Sequence, residues 1–258
     1  VSKKNTVKAI IIAAGLGVRL GNLTKNLPKP LIDVNGKSIL EHQIELFHKF
    51  GIKDVIIIRG PHKEKFHLKN VRYVEETDYQ NHDVLGSLMM AKDELNDDVI
   101  ISYGDIIFDE KIMEQIINFD GDAGLVIDQN WKKSYKDKSK ELIDKVTVIG
   151  IRNNFIVKIG YKMNIDYDDY DKLVEFIGII KLSKKISQIL TEVFLKLEIH
   201  HHGKFHDSPS VKLAVVPDIL DELIINKINF LPIPINGNWY EIDTMEDLQQ
   251  AKKIFPKN

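Results

Sequence analysis

The chain reads as an α/β protein with a Rossmann-like, mostly parallel mixed sheet, helices on both faces and a small β-rich lid. Three observations predict this. An isoleucine-rich run from Val7 to Ala14 stops at Gly15-Leu16-Gly17, as a buried parallel strand entering a glycine turn does. Apolar runs and helical periodicities then alternate through the first half, the pattern of a sheet covered on both faces. Each glycine- or carboxylate-bearing motif also falls at a strand's carboxyl end, where open α/β sheets bind ligands.

The elements follow in order. After a proline-marked loop, Ser38-Ile39-Leu40-Glu41 has capping-box spacing. Leu40, Ile44 and Phe47 share one helical face, and Gly51 closes that helix. Asp54–Ile58 is a second buried strand, Gly86–Leu95 a helix, Asp98–Tyr103 a third strand, Glu110–Asn118 a helix and Ala123–Ile127 a fourth strand. From Trp131 to Asp144 the chain turns polar and lysine-rich. Lys145–Ile149 and Phe155–Ile159 then read as short strands about the turn residues Arg152-Asn153-Asn154. Residues 128–175 are thus expected to form the lid of a single domain spanning 1–258. Phe176–Leu182 rejoins the core as a strand. Helices are expected at Ile186–Leu197, at Pro217–Ile225 with proline near its start, and at Glu246–Ile254.

Composition narrows the function. The 258 residues carry 36 basic and 38 acidic side chains, a net charge of −2, which offers no general attraction to nucleic acid. No run approaches the roughly 18 apolar residues of a membrane span. The start Val1-Ser2-Lys3-Lys4, with Ala9 to Ala14 behind it, has too short an apolar core for a signal peptide. With no cysteine, disulfides, thiol nucleophiles and thiolate metal sites are excluded.

Three constellations carry chemistry. In Gly15-Leu16-Gly17-Val18-Arg19-Leu20, followed by Pro28-Lys29-Pro30-Leu31, glycines let backbone amides approach phosphate oxygens and a cation at either end can neutralise a triphosphate. The glycines alone fit a tight turn flanked by solvated surface cations better than a phosphate cradle, since neither the dinucleotide fingerprint nor Walker A is completed. Ser102-Tyr103-Gly104-Asp105 ends a buried strand in glycine and a carboxylate. Glu241-Ile242-Asp243-Thr244 follows Asn238-Trp239-Tyr240. Mg²⁺ is usually held by one or two carboxylates plus substrate phosphates, a role Asp105 and Asp243 would fill. Taken singly, each is as readily a helix N-cap.

In this order the motifs resemble the nucleotidyltransferases that activate phosphorylated compounds with a nucleoside triphosphate. The quoted residues are Ala13-Ala14-Gly15-x-Gly17-x-Arg19-Leu20, Pro28-Lys29-Pro30-Leu31, Tyr103-Gly104-Asp105, and Glu241-Ile242-Asp243-Thr244 with Asp247-Leu248 and Ala251. Ile58-Arg59-Gly60, Val84-Leu85-Gly86-Ser87-Leu88, Trp131-Lys132-Lys133-Ser134-Tyr135, Lys145-Val146 and Phe176-Ile177-Gly178-Ile179 are similar to the branch of phosphocholine and 2-aminoethylphosphonate cytidylyltransferases. The resemblance implies a nucleotide-diphospho-sugar transferase-like fold. It also implies Mg²⁺-dependent transfer of CMP from CTP to a small phosphate or phosphonate, with release of pyrophosphate. A 2-aminoethylphosphonate-like acceptor is favoured over phosphocholine, a sugar-1-phosphate enzyme is the nearest alternative, and a catalytically silent nucleotide sensor is the reading from another class. The glycine loop and Ala13, Ala14, Gly86, Ser87, Tyr103 and Gly104 would hold the nucleotide, with Gln80 or Ser87 at the base. Arg19 and Lys29 would contact phosphates, and Asp105 and Asp243 the metal. A cytoplasmic location follows from such a substrate.

Acceptor residues are sought among the aromatics. Trp131 and Trp239, with Tyr135 and Tyr240 close by, would cage an ammonium or merely pack the lid. Asp128 would receive a primary amine, Lys132 and Lys162 the acceptor's phosphoryl group, and Glu241 lies beside them in the pattern. Asn164 and His200–Pro209 depart from the family's pattern. His202 and His206 would share a helical face, but three consecutive histidines, 200–202, cannot all aim at one ion and Gly203 breaks a helix, so the stretch reads as a mobile polar loop. Asp166, Asp168, Asp169 and Asp171 imitate a calcium loop but break it at Tyr170 and Lys172, leaving a solvated acidic loop.

Overall fold

The computed structural model describes residues 7–15, 20–21, 24–135, 143–161, 169–236 and 238–255. Its strands are β1 (Val7–Ala13), β2 (Asp33–Val34), β3 (Lys37–Ser38), β4 (Asp54–Arg59), β5 (Arg72–Glu75), β6 (Asp98–Tyr103), β7 (Ile106–Phe108), β8 (Ala123–Asp128), β9 (Thr147–Arg152), β10 (Phe155–Tyr161), β11 (Lys172–Leu182), β12 (Leu231–Ile235) and β13 (Trp239–Glu241). Its α-helices are α1 (Ile39–Lys49), α2 (Val84–Met89), α3 (Glu110–Asn118), α4 (Trp131–Ser134), α5 (Lys184–His200), α6 (Val216–Ile225) and α7 (Met245–Ile254).

Among the described residues nine strands form one mixed sheet. β6, β1, β4 and β5 run parallel in that order, while β11 lies antiparallel to β6, β8 and β9. β1 alternates its burial between two cores, which is why its apolar run is unbroken. Ala9 and Ile11 face Leu40, Ile44, Phe47, Ile112 and Met113 of α1 and α3. Ile10 and Ile12 face Leu85, Leu88, Leu190, Phe194, Ile219 and Leu223 of α2, α5 and α6. Helix α7 closes a smaller core with Leu248 and Ala251 against Ile39, Ile107 and Ile242.

The expected α1 capping box is present: Ser38 Oγ accepts from Glu41 N and Glu41 Oε2 accepts from Ser38 N. Differences lie where local chemistry outweighs periodicity. The helix expected at Gly86–Leu95 starts earlier, capped by Asp83, and gives way after Met89 to a 3₁₀ turn at Lys92–Glu94. The expected lid is not separate. Its hairpin β9–β10, turned by Asn153 and Asn154 at φ 51° and 64°, pairs with the first half of β11 and extends the central sheet. β12, whose Leu231-Pro232-Ile233-Pro234-Ile235 pattern hides a strand behind two prolines, pairs parallel to β8 on the edge where proline is tolerated. His206 is pinned rather than mobile: its ring meets Asp221 at 3.3 Å and Glu222 at 3.0 Å. Asp166 and Asp168 lie outside the described residues; nearby, Asp171 accepts from Asn153 N.

Candidate active site

Two backbone devices bring Asp105 and Asp243 together. The β7–β13 ribbon sets Glu241 opposite Ile106, and Ile242 N donates to Asp105 O at 3.0 Å, so the residues flanking that bond share one end. Gly104 lets the turn before Asp105 press on β1: its N–H donates to Ile12 O at 2.8 Å, and a Cβ there would sit 2.7 Å from the same oxygen. The side chain of Gln43, fully buried on α1, fixes the turn from behind. Its amide donates to Tyr103 O (2.9 Å) and Ile106 O (2.7 Å), and its oxygen accepts from Ser102 Oγ.

Neither aspartate acts as a helix cap. Thr244 caps α7, in a box with Asp247, and Asp109 caps α3. Instead Lys29 joins the two carboxylates, donating to Asp105 Oδ2 at 2.8 Å and to Asp243 Oδ1. Burial alone would lower the lysine's pKa, but Asp105, Asp243 and Glu241 outweigh it and hold the ammonium above its ordinary range. Asp105, Glu241 and Asp243 each offer an oxygen within 4.8 Å of the others. Asp105 Oδ1 is buried with no hydrogen-bond partner. A hard cation with oxygen ligands fits this donor set.

The constellation opens on a cavity of about 500 Å³. Ile12, Ala13, Ala14 and Gly15 line it at the end of β1, with Lys29, Asp105 and Asp243, and with Tyr79, His82, Asp83, Ser87 and Tyr103. The expected Ala13, Ala14, Gly15, Ser87, Tyr103, Lys29, Asp105 and Asp243 therefore converge. Gly86 lies just beneath, its missing Cβ making room for the His82 ring. Gly17, Arg19 and Lys162 lie outside the described residues. Gln80 is a correction: it is exposed in a turn and off the cavity wall, which its neighbours Tyr79 and His82 line instead. Sequence reasoning missed Gln43 and His82. Gln43 is legible in hindsight as a polar residue within an apolar helical stripe; nothing in the local pattern marks His82.

The aromatic and acidic residues expected at the acceptor also cluster, though differently. Asp128 is buried, one oxygen accepting from Asn130 N (2.7 Å) and the other from Trp239 Nε1 (3.0 Å), so it clamps two segments instead of standing open to an amine. Trp131 is 3% exposed and donates its N–H to Leu173 O, so of its two expected roles it takes the packing one. Tyr135 meets Trp131 edge-on and donates to Glu175 Oε1 at 2.7 Å. Glu175, opposite Asp128 on the neighbouring strand, is buried, and desolvation pushes its pKa up to about 8 despite that hydrogen bond. Lys132 is exposed near the Trp131 ring, and Glu241 is exposed beside Asp243.

A family model described as a MobA-like NTP transferase domain matches residues 9–134. The chain is 29% identical over 258 residues to the CTP:phosphoglutamine cytidylyltransferase of Campylobacter jejuni, covering 94% of this chain and 98% of that protein. It is 43% identical over 106 residues to the choline-phosphate cytidylyltransferase of Streptococcus pneumoniae, covering 40% of this chain and 46% of that one. The solved structure of a CTP:phosphocholine cytidylyltransferase from Streptococcus pneumoniae shares the fold, with a TM-score of 0.75 at 23% identity over 97% of this chain and all of that one.

Proposed function

Since the chain belongs to the nucleotidyltransferases, carrying their MobA-like NTP transferase domain over residues 9–134, we propose that it moves CMP from CTP to a small phosphorylated or phosphonate acceptor. The observation that carries this reading is the Asp105–Lys29–Asp243 constellation at the mouth of a nucleotide-sized cavity. The choice of CTP is supported by the cytidylyltransferase relatives.

An acceptor oxygen attacks the α-phosphorus of CTP; the new P–O bond forms as the bond to the β-phosphate oxygen breaks, and pyrophosphate leaves. A phosphate or phosphonate dianion forms near pH 6, so the nucleophile needs no deprotonating base. Catalysis then lies in alignment and in charge stabilisation. Lys29, kept cationic by its carboxylate neighbours, supplies fixed positive charge beside the phosphates. Mg²⁺ would be held by Asp105 and Asp243, with Glu241 adjacent, and would neutralise triphosphate charge when bound. Gln43 keeps the Asp105 turn in place, and Ile12, Ala13 and Ala14 form an apolar floor to the cavity.

For the acceptor, a molecule with hydrogen-bonding nitrogen is preferred over choline. Trp131 offers no open face to a quaternary ammonium, and the exposed carboxylate of Glu241 beside Asp243 is the group that could receive an N–H donor. The test is pyrophosphate release from CTP against 2-aminoethylphosphonate, phosphoglutamine, phosphocholine and glucose-1-phosphate. Turnover with an amine- or amide-bearing acceptor supports the reading; turnover only with the sugar phosphate, or none, refutes it. Asp105→Asn and Asp243→Asn should each lower kcat by about 10²–10⁴. Chelation should abolish turnover and Mg²⁺ restore it. A cytoplasmic site of action is proposed from these substrates; among the described residues no helix is long and apolar enough to cross a membrane.

A further inference from the structure

Resting on the cytidylyl-transfer reading, in which Asp105 and Asp243 hold a divalent ion, we infer that Lys29 competes with that ion for the two carboxylates. The protein would then take up metal together with the nucleotide and not ahead of it. The Lys29 ammonium donates to Asp105 Oδ2 at 2.8 Å and to Asp243 Oδ1. It thereby spans two of the three carboxylates whose oxygens lie within 4.8 Å of one another. The lysine side chain is 8% exposed and the aspartates 26% and 17%, so water screens this contact poorly. An ion that touched the same two oxygens would stand beside the ammonium, and like charges at that range repel strongly where solvent is thin.

Lys29 does not satisfy the carboxylates it joins. It reaches one oxygen of Asp105, and the other, Oδ1, is buried with no hydrogen-bond partner. A tethered ammonium donates from one side only, whereas a hard cation draws oxygens from all round. The backbone beneath the lysine is held in a 3₁₀ turn between two prolines, where Leu31 N donates to Pro28 O and Ile32 N to Lys29 O. What can travel is the ammonium on its four-carbon stem. Lys29 lines the same cavity as Ala13, Ala14 and Gly15. A triphosphate seated there offers the ammonium new oxygens within reach and leaves the carboxylates to the ion. Mg²⁺ also sheds water reluctantly and is usually bound by one or two carboxylates plus substrate phosphates. Both tendencies act in one direction, toward weak binding of the ion by the protein alone.

Titration of the protein with Mn²⁺, followed by the paramagnetic resonance of the free ion, reads the competition without any turnover. The wild-type chain should bind Mn²⁺ weakly, with a dissociation constant on the order of 1 mM. Lys29→Met, similar in length and uncharged, should bind it about 10–100-fold more tightly. Lys29→Gln, which keeps a hydrogen-bond donor without the charge, should do the same, while Lys29→Arg, which keeps the charge, should stay near wild type. Adding Asp105→Asn to Lys29→Met should remove the gain. In thermal melts, Mn²⁺ should raise the melting temperature of the neutral variants by more than that of wild type. Micromolar binding by the wild type, unchanged or weaker binding by a folded neutral variant, an equal gain in Lys29→Arg, or a gain that survives Asp105→Asn overturns the inference. Tighter Mn²⁺ binding by the neutral variants, with no pyrophosphate released from CTP by the wild type, would refute the transfer reaction and leave the competition in place.

Discussion

Glu175 shows how much one buried carboxyl can say about a molecule. Burial raises its folded-state pKa to about 8 against an ordinary value of 4.5. Between those values the unfolded chain has released a proton that the folded chain retains, so folding stability falls as pH rises through that window. Glu175→Gln keeps a neutral acceptor for Tyr135 and removes the titration. Its melting temperature relative to wild type should therefore climb from pH 5 to about pH 8 and level off above it in parallel calorimetric scans; a constant offset would show that the carboxyl is not held neutral. The sequence could not have announced this. Glu175 lies inside a mostly apolar strand, and its partners Tyr135 and Asp128 come from other elements. The residues legible in advance were those whose chemistry is local: Lys29 between two prolines, and Gly104 before Asp105 at a strand end.

Among the elements, helix α1 carries more than its apolar stripe. Leu40, Ile44 and Phe47 were readable from spacing alone because helical period dictates the buried face. Gln43 on the same face serves the turn that holds Asp105. Gln43→Leu, similar in volume, would take the amide donor from the Tyr103 and Ile106 carbonyls and leave Ser102 Oγ only its longer bond to Tyr103 O. The expected cost is about 2–4 kcal/mol, from the penalty of unpaired buried polar groups. Denaturant titration measures that loss, and the pyrophosphate assay should show a fall in kcat at saturating substrate exceeding the fraction unfolded. Helices and internal strands were legible because periodicity and burial agree. The strands β12, β5 and β13 were not, since edge and ribbon strands are short and owe their conformation to partners distant in the chain.

In the whole molecule, Asp221 on α6 gathers three separate segments. It accepts from Lys158 Nζ (2.6 Å) and Ile159 N (3.2 Å) of β10 and pairs with His206. The hydrogen bond to Asp221 raises the His206 pKa against the opposing effect of burial. That contribution is complete below the histidine's ordinary 6.5 and fades as pH rises through the folded-state value. For Asp221, burial is outweighed by His206, Lys158 and Ile159, and its pKa is lowered; its contribution fades as acid is added below 3.8. Asp221→Asn should accelerate amide exchange in β10 while leaving β1 and β4 unchanged, and hydrogen exchange by mass spectrometry resolves the two regions. The sequence placed the alternating half of the fold correctly because parallel βαβ units are built from neighbours in the chain. It treated 128–175 as an appendage because nothing local reveals which strand a hairpin will join. That strand is β11. One edge follows β8, while the other serves β9 up to Glu175 and β6 from Ile179, with Gly178 at φ 84° between them. A residue confined to right-handed angles at that point would oblige β11 to choose one neighbour for its whole length. The fork in the sheet would then close, and the β9–β10 hairpin would lose its attachment to the β6-β1-β4-β5 half.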